Sequence, residues 1–444
     1  MAKSFERKFF GTDGVRDLAN TGNMTPEMAL KLGRAFVKFS GAKKIIIGRD
    51  TRKSCRMLEG ALFSGMSSEG AEVLLTGIIP TPGVSWAIKN YNAGGGAVIS
   101  ASHNPAEYNG IKFLGSDGCK LSDEDEFKIE QIILNDDQND THSPNQIGDV
   151  KDVPDAINNY ARHLASLLKF KFGKIAFDCA NGAASVIVPK LLEFTGLNGK
   201  IISSKFDGLN INANAGVMHM ENLTEYVRKN NMTLGFAFDG DADRVLVSDA
   251  KGRIIDGDII LWVLARWLRA KNYSGSSQTA VTVMSNMALE SHLMNEGIKT
   301  LRCPVGDRYV LDAMRSSGAA LGGEQSGHII VRDFTSTGDG ICTAMLFLNA
   351  IHELNEDINT LIDRFGRYAQ KLTNLKLTRP RDEVDMNTIN SIAEKYQADL
   401  KNSGRVFIRT SGTEPLLRIL VEAQDPEKVN SLSQILEEQL LKLC

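Results

Sequence analysis

The chain has 444 residues, with 51 basic side chains against 54 acidic ones and a formal net charge of −3. At roughly 150 residues per domain this length predicts about three domains, or four if they are small. The balanced charge argues against nucleic acid or an anionic membrane as the main partner, and leaves room for a small anion gripped by arginines gathered at one site.

The opening residues, Met1 to Lys8, contain no apolar stretch of the kind that heads a secretory signal. The longest apolar run, Ile259 to Leu268, is broken by Arg266 and reaches about half of the ~20 residues a membrane span needs. Six cysteines at 55, 119, 179, 303, 342 and 444 form no C-x-x-C pair. That fits neither a disulfide framework nor a zinc site and predicts reduced, incidental thiols. A cytoplasmic protein is expected.

In chain order, Lys43 to Gly48 reads as a buried strand, Arg56 to Glu69 as a helix, and Ala71 to Leu75 and Val98–Ile99 as further strands. This β-α-β alternation predicts a mostly parallel sheet. The polar stretch Asn135 to Asp149 then reads as a linker. A second round follows: strand Gly173 to Asp178, helix Val186 to Phe194, and strands Leu234 to Phe238 and Val245 to Val247. A third has helix Gly257 to Ala270, strand Ala280 to Met284, helix Met287 to Glu296 and strand Ala319 to Gly322. After a break near Pro380, residues 386–444 read as a small α+β unit with strands near Arg405 to Ile408 and Leu416 to Val421. The expected fold is α/β, with domains at 1–150, 151–255 and 256–372 and a smaller one at 373–444.

Four motifs carry chemistry. Ser100-Ala101-Ser102-His103-Asn104-Pro105 follows the glycine-led segment Gly94 to Ile99 and presents a hydroxyl beside an imidazole. Serine is a poor nucleophile unless a base, a metal or its surroundings activate it, and no G-x-S-x-G run supports a hydrolase. Alone, the run is equally a turn before proline. Asp239-Gly240-Asp241-Ala242-Asp243-Arg244 sets three carboxylates at i, i+2 and i+4, expected on one side of an extended segment. Oxygen ligands that close together call for Mg2+, Mn2+ or Ca2+. An EF-hand loop is excluded, since Arg244 stands where its glycine belongs and Ala250 where its glutamate belongs.

Gly322-Gly323-Glu324-Gln325-Ser326-Gly327-His328 offers hydrogen bonds of both polarities in one loop. It suits a polyol, or it merely turns a strand into a helix. Arg409-Thr410-Ser411-Gly412-Thr413-Glu414-Pro415 combines hydroxyls, a glycine amide and an arginine, the makings of a phosphate cradle. Neither a Walker A loop nor a G-x-G-x-x-G fingerprint occurs, so ATP and NAD lose their usual support. A reactive serine with a metal triad, plus a second phosphate grip far along the chain, points to moving phosphate between two ends of one sugar.

With these motifs in this order the chain resembles the phosphohexomutase superfamily over essentially its whole length. Phe10-Gly11-Thr12-Asp13-Gly14-Val15-Arg16, Pro304 to Val310 and Gln325 resemble its bacterial amino-sugar branch. Glucose and mannose mutases, the alternative, usually carry histidine where this chain has Asp307 and methionine at Gln325. The resemblance implies three similar α/β domains with mixed sheets and a smaller C-terminal α+β domain around a central cleft. It implies that Ser102 carries a phosphate and that Mg2+ is held by Asp239, Asp241, Asp243 and that phosphoserine. Phosphoserine adds about −1.5 to −2 charges, which completes such a ligand set. The implied reaction interconverts glucosamine 6-phosphate and glucosamine 1-phosphate through a sugar 1,6-bisphosphate, feeding UDP-N-acetylglucosamine synthesis. Arg16, His103 and Lys112 match positions near the transfer, with Lys112 a proton-transfer group that needs a lowered pKa. Arg244 would support the metal loop. Gly306, Asp307 and Arg308 would read one face of the sugar. Glu324, Ser326 and His328 would grip its hydroxyls, and Arg409, Ser411, Gly412 and Thr413 would hold the distal phosphate. A monomer or homodimer is expected.

Overall fold

The computed structural model describes residues 7–11, 13–135, 143–378, 384–401, 403–410 and 415–443. Two compact units emerge: Met1–Met284 with Ile298–Leu361, and Ser285–Gly297 with Ile362–Cys444.

In chain order the first unit opens with β1 (Val15–Leu18), α1 (Pro26–Ser40), β2 (Lys44–Arg49), α2 (Cys55–Ser68), β3 (Glu72–Ile78), α3 (Thr81–Asn90), β4 (Gly95–Ile99), β5 (Tyr108–Gly115), α4 (Asp123–Leu134) and β6 (Val150–Asp152). The six strands form one sheet in the order β1-β5-β4-β2-β3-β6. β4, β2, β3 and β6 run parallel, whereas β5 is antiparallel to both β4 and β1. Ile45 and Ile47 of β2 and Ala97 and Ile99 of β4 are buried in a core shared with α1 and α2. There Phe36 stacks on Phe113 at 4.4 Å between centroids, each ring contributing about 1.5–3 kcal/mol by burial. Fully buried β4 ends at Ile99 and delivers the Ser102 loop at its C-terminal edge, where open α/β sheets bind ligands.

The next round comprises α5 (Asp155–Leu167), β7 (Ile175–Asp178), α6 (Ala184–Thr195), β8 (Gly199–Ile202), α7 (Glu221–Lys229), β9 (Leu234–Phe238), β10 (Val245–Asp249) and β11 (Ile254–Ile255). Its sheet order is β11-β10-β9-β7-β8, again mixed, with the carboxylate motif at the C-terminal end of β9. The third round follows with α8 (Gly257–Ala270), β12 (Gln278–Thr282), α9 (Met287–Asn295), β13 (Lys299–Cys303), α10 (Asp307–Ser317), β14 (Leu321–Gly323), β15 (Ile329–Val331), α11 (Gly340–Glu353) and α12 (Ile358–Phe365). Its sheet runs β13-β12-β14-β15. β14 and β15 are antiparallel neighbours, so the Glu324–His328 loop is a hairpin and not a strand-to-helix turn.

The second unit is built on β16 (Ala369–Lys376), α13 (Met386–Leu400), β17 (Gly404–Thr410), β18 (Leu416–Ala423) and α14 (Pro426–Leu440). Its three strands pair antiparallel in the order β16-β18-β17. Chain order alone assigns α9 to the third round, but it folds with the second unit. There the Met287 N–H donates to the buried Glu422 carboxylate at 2.7 Å.

Among the described residues no helix is long and apolar enough to cross a membrane. Cys55, Cys119, Cys179, Cys303 and Cys342 are buried free thiols. The expected linker at 135–149 falls partly outside the described residues.

Candidate active site

The Ser102 loop is held from both sides by buried polar groups. Ser102 adopts φ 49°, a left-handed conformation uncommon for serine. Its N–H donates to Ser100 Oγ at 2.9 Å, and that hydroxyl donates to Asp50 at 2.6 Å. Its carbonyl accepts from Arg52 Nη2 at 3.0 Å and Asn212 Nδ2 at 2.8 Å. The backbone being fixed, Ser102 Oγ donates to Asp239 Oδ2 at 2.7 Å and lies 3.3 Å from His103 Nδ1. Burial and the nearby Arg244 and Arg16 push the imidazole down to about 4, so His103 is neutral at physiological pH and can take a proton.

The carboxylates do not line an extended segment. Residues 239–243 form a turn closed by the Ala242 N–H on the Asp239 carbonyl at 3.1 Å, with Ala242 at φ 56°. An extended segment spaces i and i+2 by about 6.6 Å. The turn instead brings one oxygen of each of Asp239, Asp241 and Asp243 within 4.8 Å of the others. All three are buried, and Asp241 Oδ1 and Asp243 Oδ1 have no hydrogen-bond partner. Burial and then its two neighbours raise the Asp239 carboxyl well above the usual range, and burial and then Asp241 raise Asp243. Unsatisfied buried carboxylate oxygens at this spacing fit a hard divalent cation. Glycine is required at 240, where a Cβ would come within 2.6 Å of the Ser102 carbonyl oxygen.

Asp241 is treated differently. Its Oδ2 accepts from Lys112 Nζ at 3.0 Å and Thr81 Oγ1 at 2.6 Å. Burial opposes its charge, but the ammonium and the hydroxyl outweigh burial and hold it below the usual range. Lys112 also pairs with Asp13 at 2.9 Å. Burial opposes the Lys112 charge too, yet Asp13 and Asp241 overcome it, so its pKa is raised and not lowered. In this arrangement Lys112 is held as an ammonium, without the lowered pKa that a proton-transfer role calls for. Asp13 is shared further with Arg16 at 2.5 Å and Lys120 at 2.5 Å, and Arg16 reaches Asn104 Oδ1 at 3.2 Å.

The loops of the third round meet this cluster. Lys120 pairs with Asp307, the first residue of α10, as well as with Asp13. Gly306 sits at φ 132°, which only glycine adopts readily, and its N–H donates to Glu324 Oε1 at 3.0 Å. Ser326 Oγ donates to Glu324 Oε2 at 3.1 Å. Arg308 is engaged by Asp123 and Glu126 of α4, which anchors the loop. The Arg244 N–H donates to Asp239 Oδ1 at 3.2 Å, and the Arg244 backbone pairs with that of His328 in an isolated antiparallel bridge. Buried His328 stands 3.8 Å from Asp307 and 4.0 Å from Asp243. A cavity of about 260 Å³ opens beside Lys120, Asp307, Arg308 and His328.

Four family models match the chain in order. They are the phosphoglucomutase/phosphomannomutase alpha/beta/alpha domains I, II and III at residues 7–140, 157–252 and 256–368, and the C-terminal domain at 372–439. A phosphoglucosamine mutase from Desulforamulus reducens is 43% identical over 96% of this chain and 97% of its own length. One from Clostridium botulinum is 42% identical over 97% and 98%. The chain belongs to the phosphoglucosamine mutase family. A phosphoglucomutase/phosphomannomutase family protein from Burkholderia thailandensis shares the fold of this mutase family member with a TM-score of 0.83, at 23% identity over 98% of this chain and 97% of that one. Aspergillus fumigatus N-acetylphosphoglucosamine mutase, solved with GlcNAc-6P and magnesium, matches at 0.66 and 16% identity over 100% and 97%.

For this mutase family member the predicted Ser411, Gly412 and Thr413 lie outside the described residues, as does Thr12. Arg409, on β17, lies directly across from Arg418 on β18. Burial and the facing Arg418 guanidinium lower the Arg409 pKa from its usual value. Sequence reasoning did not single out Asp13, Asp50, Arg52, Thr81, Lys120 or Asn212. Asp13 was inside a quoted motif, and Asp50 and Arg52 sit just past the C-terminal end of β2, a position that flags them by topology.

Proposed function

We propose that the protein interconverts glucosamine 6-phosphate and glucosamine 1-phosphate, with Ser102 as the phosphoryl carrier. The observation that carries this reading is the Ser102 hydroxyl held 2.7 Å from Asp239 at the head of the buried carboxylate triad. In the forward half-reaction the free sugar hydroxyl attacks the phosphorus on Ser102. The new O–P bond forms as the Ser102 O–P bond breaks, the hydroxyl loses its proton and Ser102 Oγ regains one. Neutral His103, beside Oγ, is placed to pass that proton. Lys112, held as an ammonium, supplies counter-charge. The sugar 1,6-bisphosphate then turns over within the site, and its other phosphate returns to Ser102. Asp239, Asp241 and Asp243 would hold Mg2+, which supplies charge neutralisation on the transferring group. Asp307, Glu324, Ser326 and His328 would orient the sugar, with Gly306 and Arg308 shaping the loop. Arg409 and the 411–413 loop would hold the distal phosphate.

The test is a coupled assay on glucosamine, glucose and mannose 6-phosphates, with free phosphate followed in parallel. Glucosamine 6-phosphate is expected to give the highest kcat/KM. A higher value on either neutral sugar overturns the amino-sugar assignment, and stoichiometric phosphate release overturns mutase chemistry altogether. Arg409→Ala is expected to raise KM about tenfold or more with kcat within about threefold, because its proposed grip is on the non-reacting end. An unchanged KM in steady-state kinetics would remove Arg409 from the phosphate site.

A further inference from the structure

We infer that Arg52 is the positioning residue that fixes the phosphoryl-carrying serine, acting through the backbone of its loop. The inference rests on the Ser102 reading above. Arg52 is 1% exposed, among the largest fully buried side chains among the described residues. Its five N–H donors each have an acceptor. Nε donates to Asp50 Oδ2 at 2.9 Å. Nη1 donates to the carbonyls of Tyr108, at 3.0 Å, and Pro105. Nη2 donates to the carbonyls of Ser102 at 3.0 Å and Asn104 at 2.8 Å.

Three carbonyls of one short loop and that of Tyr108, the first residue of β5, therefore converge on one planar fork. The loop's own backbone bonds are two turns, Asn104 N–H to the Ala101 carbonyl and Tyr108 N–H to the Pro105 carbonyl, and the buried Ser102 carbonyl needs a donor from outside it. Arg52 also accounts for the left-handed Ser102, since a residue held against its backbone preference needs surroundings that over-determine it. Asp50 completes the device. Its carboxylate accepts from the Arg52 N–H, from Arg52 Nε and from Ser100 Oγ, which in turn receives the Ser102 N–H. Asp50 also balances the guanidinium charge. With its charge paired and every donor used on protein, Arg52 has nothing left with which to bind a phosphate. Its effect on chemistry runs through the position of Ser102 Oγ relative to Asp239. A lysine keeps the charge but presents its donors from one point and cannot span four carbonyls.

The experiment compares wild type with Arg52→Lys. Steady-state kinetics on glucosamine 6-phosphate are combined with phosphate loading of Ser102 from glucose 1,6-bisphosphate, read by intact mass. Expected for Arg52→Lys is a kcat about 10²-fold lower, the scale for an ångström of misplacement, with KM within about twofold and loading slowed in parallel. Wild-type kcat and loading rate in the folded variant overturn the inference. So does a KM that rises in step with the fall in kcat, which marks general disruption. If Arg52→Lys does not fold, Asn212→Ala decides. Asn212 donates to the same Ser102 and Asn104 carbonyls at 2.8 and 3.0 Å. A tenfold lower kcat with KM unmoved supports the loop-positioning inference, and an unmoved kcat overturns it. If wild-type protein itself acquires no phosphate on Ser102, the carrier reading fails and takes this inference with it. A wild type that loads and a variant that loads at the same rate defeat the Arg52 inference alone.

Discussion

Ser102→Ala is expected to lower turnover by about 10⁴-fold, close to 5.5 kcal/mol of barrier, while the protein stays folded. The two halves of that expectation have separate causes. The contacts that hold the backbone of residue 102 leave its side chain out: its N–H donates to Ser100, and its carbonyl accepts from Arg52 and Asn212. Alanine keeps all of them. Both residues pay a similar penalty at φ 49°, so the main structural loss is the donor to a buried Asp239 oxygen, about 1–3 kcal/mol. A change of that size is a small shift in a thermal melt. The chemical loss is of another order, because the atom proposed to accept and return the phosphoryl group is gone. The decisive measurement pairs kcat with intact mass after incubation with glucose 1,6-bisphosphate. Activity above a few per cent of wild type, with no phosphorylated protein, would mean that another group carries the phosphate.

The parts of this site that were readable from sequence are those whose residues are neighbours in the chain. The serine run, the three aspartates and the glycine-rich hairpin each present several polar groups within a few positions, flanked by Val- and Ile-rich strands that mark sheet edges. Their geometry was less legible. The aspartates converge because Ala242 turns left-handed, a conformation that nothing about alanine announces. The groups that tune them come from far along the chain: Thr81 and Lys112 reach Asp241 across 160 and 129 positions. β5 escaped notice for a related reason. Its run Ile111-Lys112-Phe113-Leu114 carries a lysine where a buried strand should be apolar, and that lysine is buried between Asp13 and Asp241. Its function is thus what disguised the strand. The α/β rounds, by contrast, rest on hydrophobic periodicity, which is local and survives such interruptions.

Asp239→Asn is expected to change stability in opposite directions with and without Mg2+. In the metal-free protein, burial and the charges of Asp243 and Asp241 raise the Asp239 carboxyl well above its usual range. An acid whose folded pKa lies above its unfolded value, about 3.9, destabilises the fold increasingly as pH rises past that value. Asparagine keeps the shape and an oxygen acceptor for the Arg244 N–H or the Ser102 hydroxyl, but it cannot ionise. The metal-free variant should therefore melt a few degrees above wild type at pH 8, with the gap closing toward pH 5. Adding Mg2+ reverses the order. A cation at 100 times its Kd stabilises by about 2.7 kcal/mol, and the variant has lost one of the three carboxylates that would hold it, so wild type gains and the variant gains little. Turnover in saturating Mg2+ should fall about 10²- to 10³-fold, the scale for removing one electrostatic stabiliser of the transferring group. Melting curves in chelator and in Mg2+ at both pH values test the whole argument. A metal-free variant less stable than wild type at pH 8 would contradict the repulsion argued for the triad. A Mg2+-induced shift equal to that of wild type would take Asp239 out of the ligand set, leaving it a hydrogen-bond partner of Ser102 alone.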